Sequence, residues 1–168
     1  IDSDTDMGPL SSLDQLEKVT EYIELGVKQG GKILIGGHKL EGGIFDNGFY
    51  VEPTIITDVE KESIVAKEEI FGPVLVSFKV SDLSEALDIT NDAEFGLSSS
   101  IYTKDIKKAY KYINNADTGM VHVNSPTLGG EVHLPFGGLK SSGVGHREQG
   151  EEGFNFFTEI VSVYIDHS

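Results

Sequence analysis

Between Val74 and Asn124 the hydrophobic pattern changes period again and again, and this alternation limits the fold more than any other feature. Val74–Val80 reads as a strand, and Asp82–Asn91 as a helix with Leu83, Ala86 and Leu87 on one stripe. Leu97–Thr103, small and β-branched, is a second strand, followed by a helix over Lys104–Ala116 with Ile106, Ala109, Tyr110 and Ile113 predicted to face inward. Met120–Asn124 is a third strand, alternating from His122 to Asn124. Strands separated by helices of this length pair in parallel through right-handed crossovers, so the pattern predicts an α/β fold. Asp82 and Glu85 have the spacing of a capping box, which marks the start of the first of these helices.

Upstream, Ser12–Gln29 reads as a helix with Leu13, Leu16, Thr20, Ile23 and Val27 on one stripe. Ser12 and Gln15 again have capping-box spacing, and Gly30-Gly31 supplies the stop. Lys32–Ile35 is expected to be a short buried strand. Gly36-Gly37 and Gly42-Gly43 are read as turns, because no phosphate-loop or dinucleotide-fingerprint spacing surrounds them. Phe49–Thr57 is extended, with Pro53 predicting an edge or a bend. Lys67-Glu68-Glu69-Ile70-Phe71-Gly72-Pro73 then runs paired carboxylates into an apolar pair and a Gly-Pro break. Proline fixes φ and glycine carries no Cβ penalty, so the junction is a rigid edge at the start of a strand. Further on, Ser125–His133 is a loop leading to Pro135-Phe136-Gly137-Gly138. A phenylalanine past the C-terminal end of a strand suits a pocket wall, with a core plug as the alternative. Phe154–Asp166 is predicted to be a final strand, Val161, Val163 and Ile165 on one face and Ile160, Ser162 and Tyr164 on the other.

The bulk properties narrow the function. The 168 residues suffice for a real core, and the net charge of −15 opposes nucleic-acid binding, which needs clustered Lys and Arg. No basic amphipathic or long apolar segment suggests a membrane partner. With the acidic lead-in Ile1–Asp6 unlike a signal peptide, a cytoplasmic location is expected. Cysteine is absent, which removes thiolate metal sites and any thiol nucleophile, and the five His lack a metal-ligand spacing.

Several motifs together carry a resemblance. Gly48-Phe49-Tyr50-Val51-Glu52-Pro53-Thr54, Glu68-Glu69-Ile70-Phe71-Gly72-Pro73, Phe95-Gly96-Leu97 to Tyr102-Thr103, and Pro135-Phe136-Gly137-Gly138-Leu139-Lys140-Ser141-Ser142-Gly143 with Arg147-Glu148 occur in this order. The chain resembles the C-terminal, catalytic-domain portion of the NAD(P)-dependent aldehyde dehydrogenases. That resemblance implies an open, mostly parallel twisted sheet flanked by helices over 1–152 and an oligomerisation strand over 153–168. The strand would pair with a neighbouring subunit of a homo-oligomer; an edge strand on the local sheet is the alternative. It further implies NAD or NADP as cofactor and a small-molecule aldehyde as substrate. Glu69 would accept from the nicotinamide ribose hydroxyls, Phe71 would pack beside the nicotinamide, and Phe136 would line the substrate tunnel.

Gln15 and Lys18 match residues that reach the cofactor ribose in the family, while the capping box has Gln15 folding back on its own helix. The segment Ser125–His133 has no second aromatic, and its context leans toward semialdehydes of dicarboxylic acids or aryl aldehydes. The family's nucleophilic cysteine, general-base glutamate and dinucleotide half are expected upstream of Ile1, where the chain starts without methionine. The chain alone is therefore expected to be inactive. A stand-alone binding module and an acyl-CoA-forming relative remain open alternatives.

Overall fold

The computed structural model describes residues 3–168; the first two residues of the acidic lead-in, Ile1 and Asp2, lie outside the described residues. The chain divides into two compact units, Ile1–Val80 and Ser81–Ser168.

The first unit is organised by helix α1, Leu13–Lys28. Ser12 caps it, its hydroxyl accepting from the Gln15 amide at 3.2 Å. At the other end Gly30 adopts φ 96°, and the amides of Gly30 and Gly31 close on the carbonyls of Val27 and Gly26, the Schellman arrangement. The buried face is Leu16, Val19, Ile23 and Gly26. Leu13 and Val27 of the expected stripe are exposed. Gly26 explains the rotation: an added Cβ there would lie 3.0 Å from Ile56 Cδ1, so the helix approaches the sheet through a residue that hydropathy does not count.

Strands β1 (Lys32–Ile35), β2 (Thr54–Thr57) and β3 (Val74–Val76) form one sheet with β2 in the middle, antiparallel to β1 and parallel to β3. Pro53 stands just before the central strand, at the bend where the Thr54 amide meets the Pro73 carbonyl at 2.8 Å. Lys32–Ile35 corrects the expectation of a buried strand. All four residues are exposed, because β1 is an edge strand and helices α1 and α2 (Ile64–Lys67) bury Ile56, Val59 and Val65 instead. A second cluster gathers Leu16, Val19, Ile23, Val51 and Ile70. β3 is also shorter than the strand predicted to run to Val80.

The second unit holds α3 (Leu83–Asn91), β4 (Phe95–Gly96), β5 (Ser98–Ile101), α4 (Ile106–Ile113), β6 (Met120–Val123), β7 (Leu139–Lys140) and α5 (Gly150–Phe157). β5 and β6 pair in parallel, with the predicted helix between them, while β4 and β7 pair antiparallel. The α/β class holds; the strands form three small sheets rather than one. Asp82 caps α3, accepting from the amides of Ser84 and Glu85 at 2.7 and 3.0 Å. On α4 the buried residues are Ala109 and Tyr112, whereas Ile106, Tyr110 and Ile113, predicted inward, are exposed. Ala109 belongs to the predicted stripe and Tyr112 does not; α4 also reaches α3 through a hydrogen bond from Lys111 Nζ to Ser84 Oγ at 3.4 Å.

The final strand is not formed. Phe154–Phe157 lies in α5, and no strand is assigned over 158–168, where Ile160, Val161, Val163, Tyr164 and Ile165 are exposed. A strand exists only by pairing, and among the described residues no strand presents this segment with a ladder partner. The alternative of an edge strand on the local sheet falls for the same reason.

Candidate active-site segments

The segment after α2 is fixed residue by residue from one face of α1. Lys18 Nζ donates to the Glu69 carbonyl at 3.0 Å. Gln15 Nε2 donates to the carbonyls of Ile70 and Phe71 at 3.0 and 2.9 Å. The Tyr22 hydroxyl donates to the Glu68 carboxylate, and this hydrogen bond, helped by burial and the adjacent negative charge, raises the Tyr22 pKa above the ordinary tyrosine value. Gln15 does not fold back on its own helix: the Ser12 half of the capping box forms and the glutamine half does not.

Ile70 is 7% exposed and joins the core, whereas its neighbour Phe71 is 74% exposed. Glu69 is also exposed, so Glu69 and Phe71 project from the side opposite to Ile70. Phe71 has φ 57°. A bulky non-glycine residue held in that region costs on the order of 1–3 kcal/mol, and such a residue persists only where its surroundings over-determine it. The positive φ falls on Phe71 and not on Gly72. Gly72 is needed for another reason: a Cβ there would come within 2.4 Å of Val19 Cγ2. The loop thus seats on α1 through a glycine and turns its phenylalanine outward through a strained backbone.

In the second unit the Phe136 loop is braced along its length. Phe136 and Glu148 exchange amide-to-carbonyl hydrogen bonds at 2.7 and 2.8 Å. The Arg147 guanidinium donates to the Gly138 carbonyl, and Lys140 Nζ donates to the carbonyls of Asn91 and Ala93 at 2.6 and 3.0 Å, at the C-terminal end of α3. A Cβ on Gly119 would sit 1.9 Å from the Gly137 carbonyl oxygen, so the chain just before β6 and this turn touch backbone to backbone. The motif from Pro135 to Glu148 is therefore largely a scaffold. What it presents is Phe136, 36% exposed, which lines a cavity of about 640 Å³ together with Met120, His122, Leu128 and Leu134. That volume is in the range of small-molecule sites. The core-plug alternative for Phe136 does not describe a ring exposed to this degree.

The structure brings Gln15, Lys18, Glu69 and Phe71 together in the first unit, and gives Phe136 a cavity in the second. Sequence reasoning missed Tyr22 and assigned no role to Glu68. Tyr22 follows Gln15 by seven residues and Lys18 by four, a spacing that puts all three on one helical face and would have found it.

A glutamate at the surface beside an exposed phenylalanine fits a ribose and a flat heteroaromatic ring: the ionised carboxylate accepts from hydroxyls and the ring offers a stacking face. The Glu69 carboxylate has no hydrogen-bond or ion-pair partner among the described residues, which leaves its acceptors available.

The family model described as the aldehyde dehydrogenase family matches residues 1–163. An α-ketoglutaric semialdehyde dehydrogenase of Bacillus subtilis is 46% identical over 95% of this chain and 33% of its own length. The NAD+ complex of an aldehyde dehydrogenase from Bacillus cereus superposes with a TM-score of 0.91 at 35% identity, covering 99% of this chain and 33% of that one. A betaine aldehyde dehydrogenase of Staphylococcus aureus, solved with NAD+, gives a TM-score of 0.88 at 32% identity, over 94% of this chain and 31% of that one. The chain spans about a third of the length of the curated relatives it matches. The motifs, the fold and these matches agree: the chain belongs to the aldehyde dehydrogenase family.

Proposed function

We propose that this chain is the C-terminal part of an aldehyde dehydrogenase, supplying the nicotinamide-ribose contact and one wall of the substrate tunnel to an enzyme that oxidises an aldehyde to a carboxylic acid with NAD(P)+. The observation that carries this reading is the pair Glu69 and Phe71, turned outward on a strained backbone held by α1. NAD(P)+ would accept the hydride. Glu69 would orient it through the ribose hydroxyls, and Phe71 would limit the tilt of its ring. Gln15 and Lys18 act in this reading first on the loop carbonyls they already hold; both Gln15 amide N–H groups are taken by Ile70 and Phe71, so Gln15 would meet the ribose only by accepting a hydroxyl through Oε1, whereas Lys18 keeps two ammonium donors for it. Phe136 would exclude water from the aldehyde and bound its path.

The nucleophile and its base belong to the part of the enzyme that this chain, with no cysteine, does not supply. In this reading residues 1–152 complete the catalytic domain. Residues 153–168 form a strand only on meeting a neighbouring subunit of a homo-oligomer; their exposed apolar side chains support this. The enzyme works in the cytoplasm. A semialdehyde of a dicarboxylic acid is the favoured substrate, supported by the named activity of the Bacillus subtilis relative and by the lack of a second aromatic in Ser125–His133.

The test is Glu69→Gln in the complete enzyme. Loss of a charged acceptor for two hydroxyls is worth roughly 1.5–3 kcal/mol, so the KM for the nucleotide should rise about tenfold or more, with the aldehyde KM little changed. An unchanged nucleotide KM together with an unchanged kcat would refute the assignment.

A further inference from the structure

We propose that the Tyr22–Glu68 hydrogen bond is a latch that sets the direction of Glu69 and Phe71, which makes Tyr22 and Glu68 positioning residues for the bound nucleotide. The cofactor half of this statement rests on the function proposed above; the latch itself does not.

Every residue from Glu68 to Phe71 is gripped from α1. Three grips are on backbone carbonyls, those of Glu69, Ile70 and Phe71, and they come from Lys18 and Gln15. These fix the height of the loop above the helix. They leave open a rotation about the segment's own axis, because carbonyl hydrogen bonds tolerate a broad range of directions. The Glu68 side chain lies at the N-terminal end of the segment, and its carboxylate is tied to a phenol that cannot follow it. Tyr22 is half-buried and packs against both core clusters of the first unit. Lys18 Nζ also lies 5.5 Å from the centroid of the Tyr22 ring, so the cation that holds the Glu69 carbonyl and the phenol that holds Glu68 brace each other. At the far end Gly72 is seated against Val19. With both ends pinned, Phe71 is kept at its positive φ and Glu69 stays outward. Without the phenol hydroxyl, the segment can relax Phe71 toward ordinary backbone angles and swing Glu69 away.

The experiment compares Tyr22→Phe, which removes one oxygen atom, and Glu68→Gln, which keeps an acceptor but removes its charge, with wild type in the complete enzyme. Amide hydrogen exchange is read first, without nucleotide. In Tyr22→Phe the amides of 69–72 should exchange about tenfold faster, the worth of one hydrogen bond to a charged acceptor, while those of Val19 and Ile23 keep their rates. Glu68→Gln should show a smaller change in the same amides. The dissociation constant for NAD+, from titration of intrinsic fluorescence, should then rise several-fold in Tyr22→Phe, and the double variant should be no worse than Tyr22→Phe alone. Unchanged exchange at 69–72 overturns the latch. Faster exchange with unaltered NAD+ affinity overturns the positioning role. Failure of wild type to bind either NAD+ or NADP+ would overturn the proposed function; where only NADP+ binds, the affinity comparison is made with it, and in every case the exchange data decide the latch.

Discussion

Thr54, Gly72 and Phe71 show how single atoms set this loop and its sheet. Thr54 is 2% exposed, yet its hydroxyl is fully used: it accepts from the Gly37 amide at 2.9 Å and donates to the Glu52 carbonyl at 2.8 Å. Thr54→Val keeps the shape and strands both partners. It should cost about 1–3 kcal/mol in chemical denaturation of the chain. Gly72→Ala forces a methyl into Val19 and should cost about 1–3 kcal/mol through overpacking, with part of the loss recovered by Val19→Ala. A Gly72→Ala variant as stable as wild type would mean that the loop does not seat on α1 as described. None of this was legible in the motif. A sequence marks Gly72 as permissive, but only a contact can say that its missing Cβ matters for Val19 and that the unusual backbone falls on Phe71.

At the scale of elements, caps were legible and faces less so. Ser12 and Asp82 cap α1 and α3 at the positions their spacing marks, while Asp105, read as lying inside a helix over Lys104–Ala116, is the cap of α4; all three accept from local amides. Those bonds depend on residues two or three positions away, so spacing alone finds the first two. Asp82 also makes a pH prediction. The hydrogen bonds from the Glu85 and Ser84 amides, with a smaller contribution from Lys111, lower its pKa below the ordinary value of 3.8. Lowered in the fold, the group stabilises α3 fully above 3.8, and that stabilisation is lost as pH falls through the folded pKa. Hydrogen exchange at Ser84 and Glu85 should therefore accelerate in that acid range in wild type, and should lack this step in Asp82→Asn. Tyr22 has the opposite sign. Its raised pKa makes the latch stable below about 10 and lost at higher pH, as the folded phenol ionises. The buried face of α4 was legible only in part: Ala109, expected inward, is buried, but the large residue beside it is Tyr112, while Ile106, Tyr110 and Ile113 are exposed. Hydropathy ranks side chains by size and oiliness, whereas packing ranks them by fit.

For the whole molecule, the two compact units and the exposed apolar residues of 158–168 lead to a solution prediction. The 168-residue chain should self-associate, and removing residues 158–168 should reduce that association, as read by sedimentation velocity; equal behaviour of the two chains would contradict the interface role proposed for this segment. The chain alone should also show no aldehyde-dependent reduction of NAD+ or NADP+, since it has no cysteine. By itself, the sequence determined the α/β class, the ends of α1 and α3 and the family, because each follows from local spacing or from motifs that read in order along the chain. Tertiary structure alone decided which faces are buried, that Lys32–Ile35 is an edge, that the last apolar run has no strand partner here, and that Tyr22 reaches Glu68. Those are contacts between residues far apart in the chain, and their energies depend on distances that no local pattern encodes.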